Sequence, residues 1–264
     1  MYEIIMQNTR NCKTLVESIT NYVTVNDCAN AILALGGSPI MGDFYEEVGE
    51  IVAISNAVLL NIGQLNENLI KAHKNAALKA NELNIPIVFD PVAAGVSNAR
   101  NNLCEYLMQN INFCVIKGNA SEINYLVNKT LNTSGCDSSD EINPNDLEKY
   151  IDFAKKQKTI LVITGKNDFI ISKTNVFMLS NGSVLQTKIT GAGCMLGNIL
   201  AVFVGANDDK LNAVITGISA FNISAEIAET KANGTMSFKM HLIDELSKID
   251  GTTIKERIKI EKLR

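Results

Sequence analysis

Short apolar segments alternate with longer amphipathic ones along most of this chain, and this alternation is the feature that most restricts its fold. Strand-like runs are each followed by a pattern typical of a helix. The predicted strands are 38–41, 57–62, 86–91, 113–116 and 159–165. The predicted helices are 27–35 (capped by Thr24 or Asn26), 46–55, 66–83, 98–109, one from near Ile123, 144–156, 194–204, 211–230 and 236–248. This order predicts one α/β domain, with a mostly parallel sheet covered by helices on both faces.

Three segments fall outside that alternation. The polar stretch 128–143 is typical of a loop, and the alternating segment 168–185 predicts a hairpin or a small edge extension that turns at Asn181-Gly182. The basic end of the chain, 255–264, is interrupted by Glu256 and Glu261 and is expected to be a solvated tail. We therefore expect a single domain over residues 1–264.

Composition and charge exclude several classes of partner. A net charge of −4 without a basic stripe argues against nucleic acid, and no apolar run predicts a membrane span. The first residues lack a basic and an apolar leader region, so we expect a cytoplasmic protein. The six cysteines form no C-x-x-C pair, and with two histidines in the chain a histidine-based metal site is not expected.

The segment Gly191-Ala192-Gly193-Cys194, which opens an apolar helix after a polar lead-in, is the strongest candidate for chemistry. The first amides of a helix lack intrahelical partners and favour an anion, and glycines let a phosphate approach them. Cys194, in the first turn, is expected to have a lowered pKa and to face the bound group. Two glycines before a helix are equally typical of a plain strand-to-helix turn.

Polar residues gather where the predicted strands end, and these ends share one edge of a parallel sheet. Carboxylates there suit a magnesium ion, and a cation and bare amides suit the phosphates of a nucleotide. The candidates are Asn61, Gly63, Asp90, Lys117, Asn119, Glu122, Thr164 and Gly165. Each has a plainer reading: Asp90-Pro91 as a turn, Asn119 to Glu122 as a helix cap, and Met41 as a core residue. Their convergence on one edge favours the functional reading.

Several motifs together resemble those of the hydroxyethylthiazole kinase family, over residues 15–248. They include 21–27 (NYVTVND), 38–41 (SPIM), 60–63 (LNIG), 90–92 (DPV), 118–122 (GNASE), 162–165 (VITG), 187–194 (TKITGAGC) and 233–236 (NGTM). The cysteine in Gly-x-Gly-Cys, where most of the ribokinase-like superfamily has aspartate, makes the resemblance more specific.

The resemblance implies a ribokinase-like three-layer fold and a homotrimer with active sites between subunits. It implies transfer of the γ-phosphoryl group of ATP, with Mg²⁺, to the hydroxyl of hydroxyethylthiazole in thiamine salvage. On the matching motifs, the catalytic residue is Cys194, and the substrate contacts are Met41, Gly191, Asn21 and Asn26. The ATP contacts are Lys117, Thr164, Asn119 and Gly193, and the metal acids are Glu122 and Asp90.

The chain departs from the family pattern at three positions, and three other functions are rivals. Lys117 stands where the family usually has arginine, Ala93 where it commonly has glycine, and Ala192 where it has threonine or serine.

One rival function is that of a kinase for a vitamin pyrimidine or a sugar, against which Met41 and Cys194 argue. A second is an ATP-dependent dehydratase on the same fold, which is expected to need aspartate at position 194. A third is a non-catalytic sensor, which has no need of metal acids.

Overall fold

The fold is an alternation of helices and strands, described here from a computed structural model for residues 1–128, 142 and 146–264. The helices are α1 (Tyr2–Cys12), α2 (Val25–Ala34), α3 (Val48–Ile54), α4 (Glu67–Glu82), α5 (Asn98–Asn110), α6 (Ala120–Asn128), α7 (Leu147–Gln157), α8 (Ala192–Ala206), α9 (Lys210–Glu229), α10 (Thr235–Lys248) and α11 (Gly251–Arg257). The strands are β1 (Leu15–Ile19), β2 (Ser38–Ile40), β3 (Ala57–Asn61), β4 (Ile87–Asp90), β5 (Val115–Asn119), β6 (Ile160–Thr164), β7 (Asp168–Ile171), β8 (Val176–Leu179) and β9 (Ile260–Lys262).

All nine strands form one sheet in the order β2-β1-β3-β4-β5-β6-β7-β8-β9. The pairings from β2 through β6 are parallel, and those from β6 through β9 are antiparallel. The prediction of a mostly parallel sheet is therefore confirmed. The carboxyl ends of β1, β3, β4, β5 and β6 meet at one edge, which is where the candidate site residues lie.

Helices cover both faces of the sheet because its central strands are apolar on both sides. In β3, Leu59 belongs to the core beneath α8, and its neighbours Val58 and Leu60 belong to the core on the opposite face, against α4. Such strands are stable only when both faces are covered. The helix α8 lies directly on β1, β3 and β4, so its first turn is held at the carboxyl edge of those strands.

Two sequence predictions in the second half are wrong. The hairpin consists of β7 and β8 and turns at residues 172–175, whereas Asn181-Gly182 lies beyond β8. Residues 255–264 are not a free tail, because they end α11 and form β9, which pairs with β8 at the sheet edge. The predicted loop at 128–143 and the predicted helix start at Pro144 lie almost wholly outside the described residues.

The helix α9 contradicts the expectation that no apolar run in the sequence is long enough to span a membrane. By length and composition it is the single helix in the described part of the chain that is apolar enough to cross a membrane. However, 78% of its apolar window is buried inside the protein, between α8 and α10. Its hydrophobicity is thus accounted for by the core.

Candidate active site

The first turn of α8 has the backbone geometry that an anion site requires. Gly191 caps the helix with a φ of 87°, a left-handed conformation that favours glycine. A Cβ at this position would lie 2.5 Å from Cγ2 of Thr24, so the space also requires glycine. The amides of residues 192–194 are the first of the helix and have no intrahelical partner. The predicted arrangement of glycines and bare amides is therefore present.

The sulfur of Cys194 receives two side-chain amide donors. Nδ2 of Asn21, just after β1, and Nδ2 of Asn61, the last residue of β3, each lie 3.3 Å from Sγ. Asn21 is fixed in turn, since its Oδ1 accepts hydrogen bonds from the backbone N–H of Thr24 at 3.1 Å and from its hydroxyl at 3.0 Å. The two amides orient the sulfur as an acceptor at the edge of the sheet.

The pKa of Cys194 is raised, which contradicts the expectation from its place at a helix N-terminus. Burial is the main cause, and the negative charge of Asp90 adds to it. Lys117 and hydrogen bonds from Thr24 and Asn21 offset part of this effect. The thiol form therefore predominates at neutral pH.

Asp90, at the end of β4, and Lys117, in β5, form a buried ion pair. Nζ of Lys117 lies 3.2 Å from Oδ1 of Asp90 and donates to the carbonyl of Gly193 at 3.1 Å. The other oxygen of Asp90, Oδ2, accepts from Nδ2 of Asn61 at 2.8 Å. Burial opposes the charge on Lys117, but Asp90 and Glu122 outweigh it and raise the pKa of Lys117. A permanent positive charge therefore lies directly behind the first turn of α8.

Glu122 and Asn119 cap α6 reciprocally. The backbone N–H of Glu122 donates to Oδ1 of Asn119, and the backbone N–H of Asn119 donates to Oε2 of Glu122, both at 2.9 Å. Oε1 of Glu122 accepts from the backbone N–H of Ala93 at 2.9 Å. Burial and the charge of Asp90 raise the pKa of Glu122 to about 7, although Lys117 and the two amides lower it in part. The helix-cap reading of this motif is thus correct, and the cap also places a carboxyl group beside Asp90.

The donor set suits magnesium held largely by nucleotide phosphates. Among the described residues, no group of three or more histidine, cysteine, aspartate or glutamate side chains could hold a metal ion. Mg²⁺ commonly uses one or two carboxylates together with phosphates and waters, and Asp90 with Glu122 matches that number. Oδ1 of Asp90 is buried and its partner is the ammonium group of Lys117 at 3.2 Å, so a cation held there would share this oxygen with Lys117. Burial and then the like charge of Asp90 raise the pKa of Glu122, so a divalent cation beside the two acids would favour their ionised forms.

The remaining predicted residues differ in how close they come to this cluster. The hydroxyl of Thr164 donates to the carbonyl of Gly118 at 3.3 Å, at the carboxyl ends of β6 and β5. A Cβ on Gly193 would lie 3.2 Å from Nζ of Lys117, so Gly193 is in the cluster. Met41 is half-buried and packs on the same core as Cys194. Asn26 lies on the exposed side of α2, where its Oδ1 accepts from Asn30 at 3.1 Å, so the single chain does not bring it to the site.

Asn61 is the residue whose role the sequence did not reveal. It was among the strand-end candidates and in the 60–63 motif but was given no specific role, yet one amide group contacts both Asp90 and Cys194. Its Oδ1 also accepts from the backbone N–H of Gly63 at 2.8 Å. An asparagine that ends a wholly buried strand was the available signal, because buried amides need partners.

Comparisons with known proteins identify the family of this chain. The model of the hydroxyethylthiazole kinase family matches residues 6–252. The hydroxyethylthiazole kinase of Campylobacter lari is 42% identical over 256 residues, covering 97% of this chain and 98% of that protein. The solved hydroxyethylthiazole kinase protein from Pyrococcus horikoshii has a TM-score of 0.89 and 30% identity, covering 100% of this chain and 99% of that one.

A more distant structure supports the fold alone. A ribokinase-like superfamily protein from Enterococcus faecalis has a TM-score of 0.65 at 13% identity, covering 92% of this chain and 88% of that one. The prediction of a ribokinase-like α/β fold is confirmed, and so is the resemblance on which it rested. With the family model matched over most of its length, this chain belongs to the hydroxyethylthiazole kinase family.

Proposed function

We propose that this protein transfers the γ-phosphoryl group of ATP to the hydroxyl of hydroxyethylthiazole, forming hydroxyethylthiazole phosphate in thiamine salvage. The observation that carries the proposal is the position of Cys194, whose sulfur lies beside the bare amides of α8 at the edge where Asp90, Lys117 and Glu122 meet. A group of anion-binding amides, a cation and two carboxyl groups thereby converge at one place. Membership of the kinase family supports ATP as co-substrate.

The amides of residues 192–194 are the anion hole for the transferred phosphoryl group. Phosphoryl transfer passes through a loose transition state, so catalysis consists mainly of positioning and charge stabilisation. The amides and the charge of Lys117 are already in place before the reaction, and they need no rearrangement as charge develops. Asn119, Thr164 and Gly193 line the same edge and complete the ATP contacts.

Asp90 and Glu122 hold the magnesium ion in this proposal. When bound, Mg²⁺ supplies charge neutralisation to the phosphates. Lys117 keeps Asp90 paired until then, and the amides of Ala93 and Asn119 keep Glu122 oriented. The raised pKa of Glu122, about 7, means that binding of the cation is favoured as pH rises through neutrality.

Cys194 faces the acceptor alcohol, with Asn21, Met41 and Gly191 around the thiazole. The alcohol oxygen forms a bond to the γ-phosphorus, the bond to the bridging oxygen breaks, and ADP leaves. The alcohol proton passes to the Cys194 thiolate where it is formed, or to solvent. Since burial raises the pKa of Cys194, general-base assistance falls at the low end of the usual range of about 10²- to 10⁴-fold.

We further propose that the protein is a cytoplasmic, single-domain homotrimer over residues 1–264, with active sites between subunits. The helices α2 and α10 pack together, and large apolar side chains are exposed on the two helices and just before α2. We call these residues the α2–α10 surface: Val23, Leu33, Met236 and Met240. A cluster of this kind is typical of a protein–protein interface. Asn26 lies on α2, so its proposed substrate contact is made to a site shared with a second subunit.

An ADP-release assay with a panel of alcohols tests the substrate. Hydroxyethylthiazole should stimulate ATP turnover well above hydroxymethylpyrimidine and ribose, and removal of Mg²⁺ should abolish it. Glu122→Gln, which keeps the shape of a site acid, should lose most of the activity, and Asn110→Gln on the exposed face of α5 should not. Equal turnover of all three alcohols would contradict the substrate assignment, and ATP binding without turnover would favour the sensor.

A further inference from the structure

Three polar side chains near the carboxyl end of β6 form a hydrogen-bonded row, which we call the Asp168 network: Asp168, Asn222 and Gln186. Nδ2 of Asn222, in α9, donates to Oδ2 of Asp168 at 2.7 Å. Oδ1 of Asn222 accepts from Nε2 of Gln186 at 3.3 Å. Asp168 is 6% exposed and Asn222 is 4% exposed. Polar groups this deeply buried are stable only when they are paired, so each member of the row fixes the next.

The two ends of the Asp168 network are backbone amides in two different loops. At one end, the backbone N–H of Gly165 donates to Oδ1 of Asp168 at 3.0 Å and closes the turn between β6 and β7. At the other end, the backbone N–H of Ser183 donates to Oε1 of Gln186 at 2.9 Å, at the start of the short 3₁₀ helix Val184–Lys188. The network therefore joins the turn after β6 to this 3₁₀ helix.

Both loops lie at the edge of the sheet where the nucleotide is proposed to bind. Asp168 pairs with Leu179, the last residue of β8, so the segments that follow β6 and β8 leave the sheet side by side. Thr164, a proposed ATP contact, directly precedes the first loop, and the second loop leads into α8. Each loop carries an exposed lysine, Lys166 and Lys188, that has no ion pair with a described residue. Positive charge on both loops suits the phosphates of a nucleotide.

The two ends of the Asp168 network fix the direction of every hydrogen bond in it. A backbone N–H can only donate, and both oxygens of Asp168 receive N–H donors, which is the pattern of an ionised carboxyl group. Burial raises the pKa of Asp168 to about 6, and hydrogen bonds from Gly165 and Asn222 and the charge of Lys117 limit that rise. Asn222 and Gln186 must therefore both turn their amide nitrogen towards Asp168. The network has one consistent arrangement, so it holds its two ends rigidly.

We propose that Asp168 and Asn222 are positioning residues for ATP, which together with Gln186 hold the turn after β6 and the 3₁₀ helix in one fixed arrangement around the nucleotide. This inference rests on the proposed function, because it takes Thr164 as an ATP contact. Asp168 and Asn222 act through the backbone of the two loops and do not touch ATP themselves. Stability alone does not require them, because apolar side chains of similar volume can often replace a buried charge and its partner without loss.

The test measures KM for ATP and for hydroxyethylthiazole after the Asp168 network is broken. Asn222→Leu removes the central amide and leaves Oδ2 of Asp168 without its donor, so KM for ATP should rise roughly tenfold or more. KM for the thiazole should stay within about twofold, because α8 is held separately by β1, β3 and β4. Ser219→Ala, which loses a buried hydroxyl bonded within α9, is the matched control and should leave both KM values unchanged.

An exchange of the two side chains tests the network more sharply. Asp168→Asn alone should raise KM for ATP as Asn222→Leu does, because two amide nitrogens then face each other. In Asp168→Asn combined with Asn222→Asp, the asparagine accepts from Gly165 and donates to the new carboxylate, which accepts from Gln186. Every hydrogen bond regains its direction, and KM for ATP should return to within about threefold of the wild-type value.

Gln186→Leu keeps the test decisive if the variants at the two buried positions do not fold. It breaks the network at its half-buried end, leaves Asp168 paired with Asn222, and should raise KM for ATP several-fold. Calorimetric titration of each protein with ATP and Mg²⁺, without an alcohol, should show the same order of affinities.

Three results would overturn the role of the Asp168 network. They are an ATP affinity that is unchanged in Gln186→Leu and Asn222→Leu, a combined exchange variant as weak as Asp168→Asn, or an equal rise of both KM values. If the wild type binds ATP but does not phosphorylate hydroxyethylthiazole, the proposed function fails, and the comparison of ATP affinities still decides whether the network positions the nucleotide.

Discussion

At position 194 the surroundings tolerate more than one acceptor atom. Two amide donors, from Asn21 and Asn61, point at the sulfur, and an oxygen in the same place could accept from both. The anion hole is made of backbone amides and does not depend on the side chain. The side chain at 194 therefore tunes proton transfer without building the site.

Replacements of Cys194 separate the contribution of its side chain to proton transfer from the contribution of the backbone amides to phosphate binding. Cys194→Ser should lower kcat by roughly 10²-fold or less and leave KM for the thiazole near its original value. Cys194→Asp should stay active, because a carboxylate can accept the alcohol's proton and the two amide hydrogen bonds. Steady-state kinetics with both substrates measures this. A Cys194→Asp protein that folds and binds ATP normally but has no activity would show that position 194 is not a general-base position.

Ala93, which stands where the family commonly has glycine, has a strained backbone conformation. It adopts a φ of 58°, a left-handed conformation that costs a residue with a side chain about 1–2 kcal/mol. Ala93→Gly should therefore stabilise the protein by about 1 kcal/mol, and it keeps the backbone N–H that holds Glu122. Chemical denaturation is the measurement. The neighbouring Ala94→Gly is the control and should destabilise, because Ala94 is fully buried and is not among the residues with positive φ. A loss of stability in Ala93→Gly would contradict the strain.

The sequence predicted which kinds of residue lie at the site better than it predicted their protonation states. The strand-end acids, the cation and the glycines were all predicted, because parallel strands bring their carboxyl ends together whatever the details of packing. The direction of the Cys194 pKa was wrong, because burial and the charge of Asp90 outweigh the helix N-terminus and neither is visible in a local motif.

At the scale of elements, Asn181 helps to hold the C-terminal residues that pair with β8. Asn181, just beyond β8, donates to Glu226 and to the carbonyl of Arg257, both at 3.0 Å, and accepts from the backbone N–H of Lys259 at 2.6 Å. These bonds place β9 against β8. Asn-Gly is a common hairpin turn, so the sequence favoured a turn here, and partners more than 40 residues away could not be foreseen.

Asn181→Ala tests this anchor. Loss of buried hydrogen bonds, one of them to a charged group, should cost about 1–3 kcal/mol and lower Tm by several degrees, at about 2–4 °C per kcal/mol for a chain of this size. kcat and both KM values should stay within about twofold, since β9 lies at the antiparallel end of the sheet. Thermal unfolding followed by circular dichroism measures the effect. Asn110→Ala, which loses one exposed bond to Tyr106, is the control, and an equal change in both would argue against the anchor.

Among the elements that the sequence pattern missed is β1, a strand with polar inward-facing residues. β1 carries Glu17 and Ser18 in its centre, and Ser18 is buried because its hydroxyl donates to Oδ1 of Asn198 in α8 at 2.6 Å. No apolar run marks such a strand. Strands with apolar centres, such as β3 and β4, were predicted to within a residue or so at each end.

At the scale of the whole molecule, the α2–α10 surface is the exposed apolar region that a second subunit would cover. Leu33 is 55% exposed and Met240 is 57% exposed, and Lys239 joins the two helices through Asp27 at 3.0 Å. Light scattering of the wild type at micromolar concentration should give the mass of a trimer. A monomer that is fully active would refute the shared site.

Charges on this surface should separate the subunits. Leu33→Glu combined with Met240→Glu should shift the mass to that of a monomer and lower kcat/KM for the thiazole at least tenfold, because burying a carboxylate in an interface is unfavourable. Analytical ultracentrifugation and the ADP-release assay measure the two effects. Ile54→Glu is the control, since Ile54 is 67% exposed on α3, on the other face of the sheet. Dissociation caused equally by Ile54→Glu would place the interface elsewhere.

The position of α8 in the sequence also has a consequence for the nascent chain during synthesis. The strands β1 to β6 leave the ribosome before α8, although α8 covers β1, β3 and β4 and supplies Cys194. Asn21 and Cys194, which meet through a hydrogen bond, are separated by 173 positions in the chain. Until residue 206 has emerged, β1, β3 and β4 lack the cover of α8 on one face, and incompletely folded domains of this kind are prone to aggregate. The ability to bind a phosphate is thus one of the last properties that the growing polypeptide acquires. A chain truncated before α8 is expected to aggregate through its exposed apolar strands and not to be an enzyme of reduced activity.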